Sequence, residues 1–212
     1  AIEAVVETIR ASRTPLDDAR AEPVDMVPVL WLAEDAVRKA SKAVHERSRK
    51  EKGLEGMGCT LTVLLAAGEK AVMAHVGDSR LYLLRDQRAI QLSDDHTLGQ
   101  ELVSSGLLSR ADAFKHHFGH MLTRGIGIAE DVHVDVRVLD LLPGDRFMLC
   151  SDGLTAYLSD PDWLAEKLDG SDFESIPDAL IRFANESGGA DNVTVVVARV
   201  DTEAAEKQAA SG

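Results

Sequence analysis

Near residue 58 the hydrophobic period of this chain changes, and a chain that does this must fold in layers. Upstream, Leu30, Ala33, Val37, Ala40 and Val44 recur at steps of three and four, which predicts one buried face of a long helix over Val29–Lys50. Downstream, Thr60–Ala67, Ala71–Val76 and Leu81–Leu84 are short, β-rich and almost continuously apolar. Gly68-Glu69 and Gly77-Asp78 separate them, and Asp86-Gln87 turns the chain into Ala89–Leu92. The pattern predicts a meander of antiparallel strands. Successive side chains of a strand point to opposite faces, so a sheet this apolar must be covered on both.

Other elements follow from the same reading. Residues 1–13 place Ile2, Val5, Val6 and Ile9 on one helix face, and residues 14–27, with Pro15 and Pro23, read as a loop. The charged end of the long helix, His45–Lys52, reads as solvated, and Gly53, Gly56 and Gly58 mark a loop. Asp95-His96-Thr97 opens a short helix over Leu98–Ser104 that Gly106 stops, with Ser109–Gly127 expected to be a surface flap of little regular structure. Val132, Val134, Val136 and Val138 alternate with polar residues and predict a half-exposed strand. Pro143-Gly144 then leads into Phe147–Cys150, a buried strand expected to end in a tight turn at Ser151-Asp152-Gly153. Helices are expected at Pro161–Leu168 and Ile176–Glu186, a last strand over Asn192–Val200, and a flexible tail at 201–212.

The charge balance narrows the function. Against 23 Lys+Arg stand 36 Asp+Glu, a formal net charge of −13, which disfavours nucleic acid or an anionic membrane as partner and suits a cation site built from carboxylates. No apolar run approaches the roughly 18 residues of a transmembrane helix and no signal peptide is visible, so a cytoplasmic location is expected. Cys59 and Cys150 lie in apolar runs and read as buried free thiols. Three carboxylates stand at strand boundaries: Asp78, Asp152 and Asp191. Acids at such places often only cap turns; converging on one sheet edge, they would suit a hard cation such as Mg²⁺ or Mn²⁺. His116, His117 and His120 suggest zinc less than a solvated flap, His75 reads as a packed core residue, and His96 as a local hydrogen-bonding group at the helix entry.

Five stretches carry a resemblance. HVGDSRLYLLRD (75–86), SDDHTLG (93–99), HMLTRGIG (120–127), LLPGDRFMLCSDGL (141–154) and ADNVTVVVARV (190–200) resemble, in order and spacing, the metal-dependent protein serine/threonine phosphatases, the PPM or type-2C family, with the bacterial branch the closer match. The resemblance implies an α+β fold of two packed antiparallel sheets flanked by helices, an α-β-β-α sandwich, with helices 1–13 and 29–50 on one sheet and 161–168 and 176–186 on the other. It implies hydrolysis of phosphoserine and phosphothreonine in proteins by a metal-activated water, at two Mg²⁺ or Mn²⁺ ions with a third in bacterial members. By matching motifs, Asp152 and Asp191 are metal ligands of the main site, Asp78 ligates the third metal, and Gly153 and Asn192 shape the site. Residues 98–122 match the flap, where Ser104, Ser105 and Gly106 would touch substrate. No side-chain nucleophile is needed, and no nucleophile elbow, cysteine phosphatase loop or phosphate-cradling GxxxxGKS is found. The expected partners are a phosphoprotein substrate and a cognate Ser/Thr kinase. The family also carries, before the first long helix, a strand ending in an Asp-Gly that bridges the metals, and further upstream an arginine that holds phosphate. Neither is found here, and the chain begins at Ala1. The reading is therefore a phosphatase-like domain over 1–200 lacking its first strands. The alternative is an inactive pseudophosphatase that acts as a regulatory or phosphoprotein-binding module.

Overall fold

The computed structural model describes residues 1–12, 16, 25–116, 118–158, 160–170 and 172–201. Most of the loop expected at 14–27, and the tail expected at 201–212 apart from residue 201, lie outside the described residues. Two compact units form. One comprises Ala1–Asp78 with Asp95–Asp140, the other Ser79–Asp94 with Leu141–Gly212.

In the first unit helix α1 spans Ile2–Ala11 and helix α2 Val27–Lys50. Pro28 falls in the first turn of α2, where its missing N–H has no intrahelical partner to lose, and Arg47, Arg49 and Lys50 complement the dipole at its end. The first sheet orders its strands β1 (Leu61–Ala67), β2 (Lys70–Val76) and β5 (Asp135–Asp140), antiparallel throughout. The α2 residues Val29, Ala33, Val37 and Val44 pack on Val72, Ala74 and Val76 of β2, together with Ile126, Val132 and Val134. Ala71, Met73 and His75, on the opposite face of β2, are buried as well. That explains the unbroken apolar run. Helix α1 contributes one buried residue, Val5, against Ala36 and Ala40, while Ile2 and Val6 stay exposed. The four-residue apolar face expected there narrows to one line, because α1 rests on the small residues of α2.

The second unit orders its sheet β4 (Arg88–Gln91), β3 (Arg80–Arg85), β6 (Arg146–Cys150) and β7 (Val195–Arg199), again antiparallel. Tyr82 and Leu84 of β3 and Met148 and Cys150 of β6 pack against Leu164 and Leu168 of helix α6 (Pro161–Leu168) and Leu180 and Ala184 of helix α7 (Ile176–Glu186). The α+β class, the two antiparallel sheets and the partition of the helices between them are therefore present.

The meander divides between two sheets. β2 pairs with β1 and β5, whereas β3 pairs with β4 and β6. The break falls at Gly77, whose φ of +116° only glycine tolerates well and whose added Cβ would lie 2.3 Å from Thr60. Hydrophobicity alone could not mark it, since every strand near it is equally apolar. β7 is an edge strand, so its run alternates between half-buried and exposed, with Val196 54% accessible. β5 starts only at Asp135. Val132 and Val134, expected within the strand, lie before it and pack into the first core.

Candidate functional site

β6 delivers Cys150, and Ser151 follows in extended conformation. The expected tight turn at Ser151-Asp152-Gly153 is instead the start of a single helical turn, α5, over Asp152–Thr155, in which the Ala156 N–H reaches back to the Asp152 carbonyl at 3.0 Å. Local propensity for Asp-Gly turns is overridden because the following Leu154 is fully buried in the second core.

Ser151 joins this turn to the one that carries Asp191. Its Oγ donates to the Asn192 carbonyl at 3.2 Å and accepts the Thr194 N–H at 3.0 Å, and its own N–H donates to the Thr194 carbonyl at 3.1 Å. Gly153 lies against the same segment: a Cβ there would stand 2.3 Å from the Asn192 carbonyl oxygen. Asp152, Gly153, Asp191 and Asn192 are thus brought together as two adjoining turns. The two aspartates are bound alike. Oδ1 of Asp152 accepts the Gly153 N–H at 2.9 Å and Oδ1 of Asp191 accepts the Asn192 N–H at 2.7 Å. Both residues are exposed, and the second oxygen of each has no partner among the described residues. Ser151 escaped the sequence reading, where it counted only as a turn residue; its role needs the pairing of β6 with β7.

The donor set has the chemistry a hard divalent cation requires, since two anionic, acceptor-only oxygens face solvent on turns held rigidly together. Among the described residues no three or more His, Cys, Asp or Glu side chains form a group that could hold a metal ion. Asp152 and Asp191 are two carboxylates on adjoining turns, and no third side chain of this kind groups with them among the described residues.

Asp78 belongs to the first unit, half-buried after β2. The preceding Gly77 is gripped from both sides by His96. The His96 backbone N–H donates to the Gly77 carbonyl at 2.7 Å, and the Gly77 N–H donates to His96 Nδ1 at 3.0 Å. A backbone N–H can only donate, so Nδ1 is the acceptor and the ring proton sits on Nε2, which points at Asp135 Oδ2 at 3.1 Å. The other Asp135 oxygen takes Arg124 at 2.6 Å. Burial pushes the His96 pKa down, against the pull of Asp135. Burial also pushes Asp135 upward, but hydrogen bonds from Arg124 and His96 outweigh it and leave its pKa below the ordinary value. The local role expected for His96 is therefore corrected: it is 2% exposed and its partners are distant in sequence. His75 is the packed core residue expected, bonded to Thr62 at 2.9 Å, and its ring lies 4.7 Å from that of His96.

The flap is more ordered than its composition suggested. Helix α3 (Leu98–Ser104) is capped by Thr97, as expected, and Gly106 ends it with φ of +72°. A second helix, α4 (Arg110–Lys115), capped by Ser109, interrupts the segment expected to be irregular. Backbone bonds tie its return, from Leu98 to Met121 and from Gly99 to Gly119. Of the proposed substrate contacts, Ser104 accepts from Gln100, Ser105 Oγ donates to the Glu101 carbonyl at 2.7 Å, and all three of Ser104, Ser105 and Gly106 are exposed. His116 and His120 are exposed too; His117 is outside the described residues. Cys59, expected to be buried, is exposed, because it precedes β1 and makes only an isolated bridge to Ile126. Cys150 is buried, and neither cysteine is joined in a disulfide among the described residues.

A family model described as protein phosphatase 2C matches residues 1–197. The chain belongs to the protein phosphatase 2C family, a family of hydrolases. Over 165 residues it is 39% identical to the serine/threonine protein phosphatase PstP of Mycobacterium tuberculosis, a match covering 78% of this chain and 32% of that protein, so the chain spans about a third of this relative's length. The crystal structure of the Mycobacterium tuberculosis serine/threonine phosphatase PstP/Ppp superposes with a TM-score of 0.80 at 35% identity, covering 94% of this chain and 80% of the other. The structure of the PstP catalytic domain in complex with two manganese ions superposes with a TM-score of 0.74, also at 35% identity, covering 94% and 81%. Among the described residues no helix is long and apolar enough to cross a membrane.

Proposed function

We propose that this chain takes part in the metal-dependent hydrolysis of phosphoserine and phosphothreonine in proteins. The observation that carries the reading is the pair of aspartate turns, Asp152-Gly153 and Asp191-Asn192, joined by Ser151, with one oxygen of each carboxylate without a partner among the described residues. Asp152 and Asp191 would hold Mg²⁺ or Mn²⁺ at the main site, and Asp78 would hold a further ion, two or three ions in all. When bound, such ions supply positive charge against the developing phosphoryl oxygens and lower the pKa of an attacking water. The chain's residues then do the rest. Ser151 holds the two turns in register, Gly153 lets them approach closely, Asn192 fixes the orientation of Asp191 through its N–H, and the segment around Ser104, Ser105 and Gly106 meets the phosphoprotein. Water oxygen would bond to phosphorus while the bond to the Ser or Thr oxygen breaks, and a proton from the water ends on that oxygen, giving the free hydroxyl and inorganic phosphate. The substrate would be the product of a Ser/Thr kinase, in the cytoplasm.

A second reading, a pseudophosphatase that binds phosphoproteins without turnover, is favoured by the lack of a three-ligand group among the described residues. A phosphopeptide assay across a Mn²⁺ titration separates the two. With the Asp-Gly strand and the phosphate-holding arginine that the resemblance calls for supplied ahead of residue 1, the first reading expects phosphate release that needs Mn²⁺ or Mg²⁺, is abolished by chelator, and falls at least about 100-fold in Asp152→Asn and Asp191→Asn, in the range seen when a main electrostatic group is removed, while the 212-residue chain by itself should be nearly inactive. Phosphopeptide binding by that extended protein with no release at any Mn²⁺ concentration would establish the second reading and remove the first.

A further inference from the structure

We propose that His96 is a positioning residue that sets the Gly77–Asp78 turn, and through it the aim of the Asp78 carboxylate. The proposal rests on the reading above for the part that concerns a cation at Asp78. Its basis is the two-sided grip already described. One residue both donates its main-chain N–H to Gly77 and accepts the Gly77 N–H on its ring. Gly77 has φ of +116°, a conformation weakly restrained by its own sterics. The residue after it, Asp78, is the one whose direction that freedom would blur.

The imidazole is itself fixed. Nε2–H is aimed at Asp135 Oδ2, Asp135 is anchored by Arg124 through its other oxygen, and His75 lies beside the ring. The chain of bonds runs Arg124 to Asp135 to His96 to Gly77, and each member defines the orientation of the next. Partners of this kind, one bond removed from a ligand, are expected to govern metal affinity by orienting the ligand. Two histidine replacements separate positioning from packing. His96→Asn keeps an acceptor near the place of Nδ1 but cannot reach Asp135. His96→Gln is closer to histidine in volume and reaches toward Asp135, but leaves the Gly77 N–H unpaired. A packing role makes Asn the more harmful change because it leaves the larger void. A positioning role makes Gln the more harmful.

The test uses the 212-residue chain with circular dichroism as the check on folding. Without metal, amide exchange at Gly77 is expected to be roughly tenfold faster in His96→Gln than in the starting protein and near normal in His96→Asn. With Mn²⁺ as the only added ion, His96→Gln and Asp135→Asn should weaken binding roughly tenfold, His96→Asn by less, and the effect of His96→Gln should vanish in an Asp78→Asn background. Unchanged Gly77 exchange in His96→Gln, greater harm from Asn than from Gln, or an effect that persists with Asp78→Asn would each overturn the proposal. If Asp78→Asn alone leaves Mn²⁺ binding unchanged, the metal reading of Asp78 fails, while Gly77 exchange still decides whether His96 holds the turn. Should the His96 replacements unfold the chain, Arg124→Gln, which leaves both His96 bonds to Gly77 in place, must still weaken Mn²⁺ binding by a smaller factor than Asp135→Asn; equality or reversal would count against the chain of orientation.

Discussion

Replacing Gly153 with alanine tests whether the two aspartate turns are as closely locked as their geometry requires. Gly153 sits in the first turn of α5 with no left-handed φ, so its backbone conformation is open to alanine. On intrinsic grounds the change should stabilise: Gly→Ala at a compatible site gains about 0.4–1 kcal/mol. The surroundings reverse the sign. The new Cβ would lie 2.3 Å from the Asn192 carbonyl oxygen and 3.0 Å from its carbon, about 1 Å short of ordinary contact. The obstacle is main chain, so it cannot swing aside as a side-chain tip would. Ser151 Oγ also donates to that same carbonyl, so retreat of Asn192 breaks this bond as well. Overpacking of this kind costs about 1–3 kcal/mol, and the lost hydrogen bond about 1 kcal/mol more. The net expectation is a loss of about 2–3 kcal/mol. For a chain of this size that lowers the thermal midpoint by roughly 4–12 °C. Thermal and urea unfolding followed by circular dichroism measure it, with Mn²⁺ titration calorimetry alongside, where affinity should fall because Asp152 and Asp191 are pushed apart. A variant as stable as the starting protein, or more so, with unchanged Mn²⁺ affinity, would refute the claim that Gly153 is there for close approach.

Two further predictions concern stability alone. Asp145→Asn should destabilise by about 3 kcal/mol in urea titrations, because the nearly inaccessible carboxylate carries both a bidentate pair with Arg85, at 2.8 and 2.6 Å, and the Leu142 N–H at 2.8 Å; a loss below about 1 kcal/mol would mean that Arg85 is satisfied by solvent. On acidification from about pH 7.5 to 5, the unfolded chain takes up a proton at His96 near its ordinary pKa of 6.5 while the folded chain resists, so stability should fall with pH across that window. His96→Gln should flatten the slope, whereas Asp135, whose pKa is lowered, adds its own loss only below about pH 4; a slope identical in both proteins would exclude His96 as its source.

The legible parts of the chain are those in which a local pattern and its tertiary environment agree. Ala33, Val37 and Val44 lie on the helix face their spacing required, although Val29 takes the buried place at its start and Leu30 is only half-buried, and the elements near 61–67, 70–76 and 146–150 are strands because β-branched and apolar runs of that length bury well in that form. Thr97 and Gly106 delimit α3 through bonds made within a few residues, which is the range over which sequence determines geometry. The place of Asp152 just after β6 was legible for the same reason, whereas the last strand, expected from Asn192, starts only at Val195 and leaves Asp191 in the turn ahead of it.

Long-range pairing decided the rest. Cys59 and Cys150 have similar apolar neighbours, yet one is exposed and the other buried, because burial depends on the element that covers a residue. Asp135 looked like one polar residue in an alternating strand, and Arg124 like a loop residue. Only the fold brings both to His96, which in turn reaches Gly77 across nineteen positions. In the same way Ser151 becomes the bolt between two aspartate turns only once β6 and β7 pair and bring residues forty-one positions apart into contact. By itself the sequence determined the types of its long elements and the acidic character of the chain, since each is written in neighbouring residues. The separation of the strands into two sheets, and the bonds that orient the site carboxylates, belong to the tertiary structure, because a hydrogen bond between residues distant in sequence leaves no periodic trace along it.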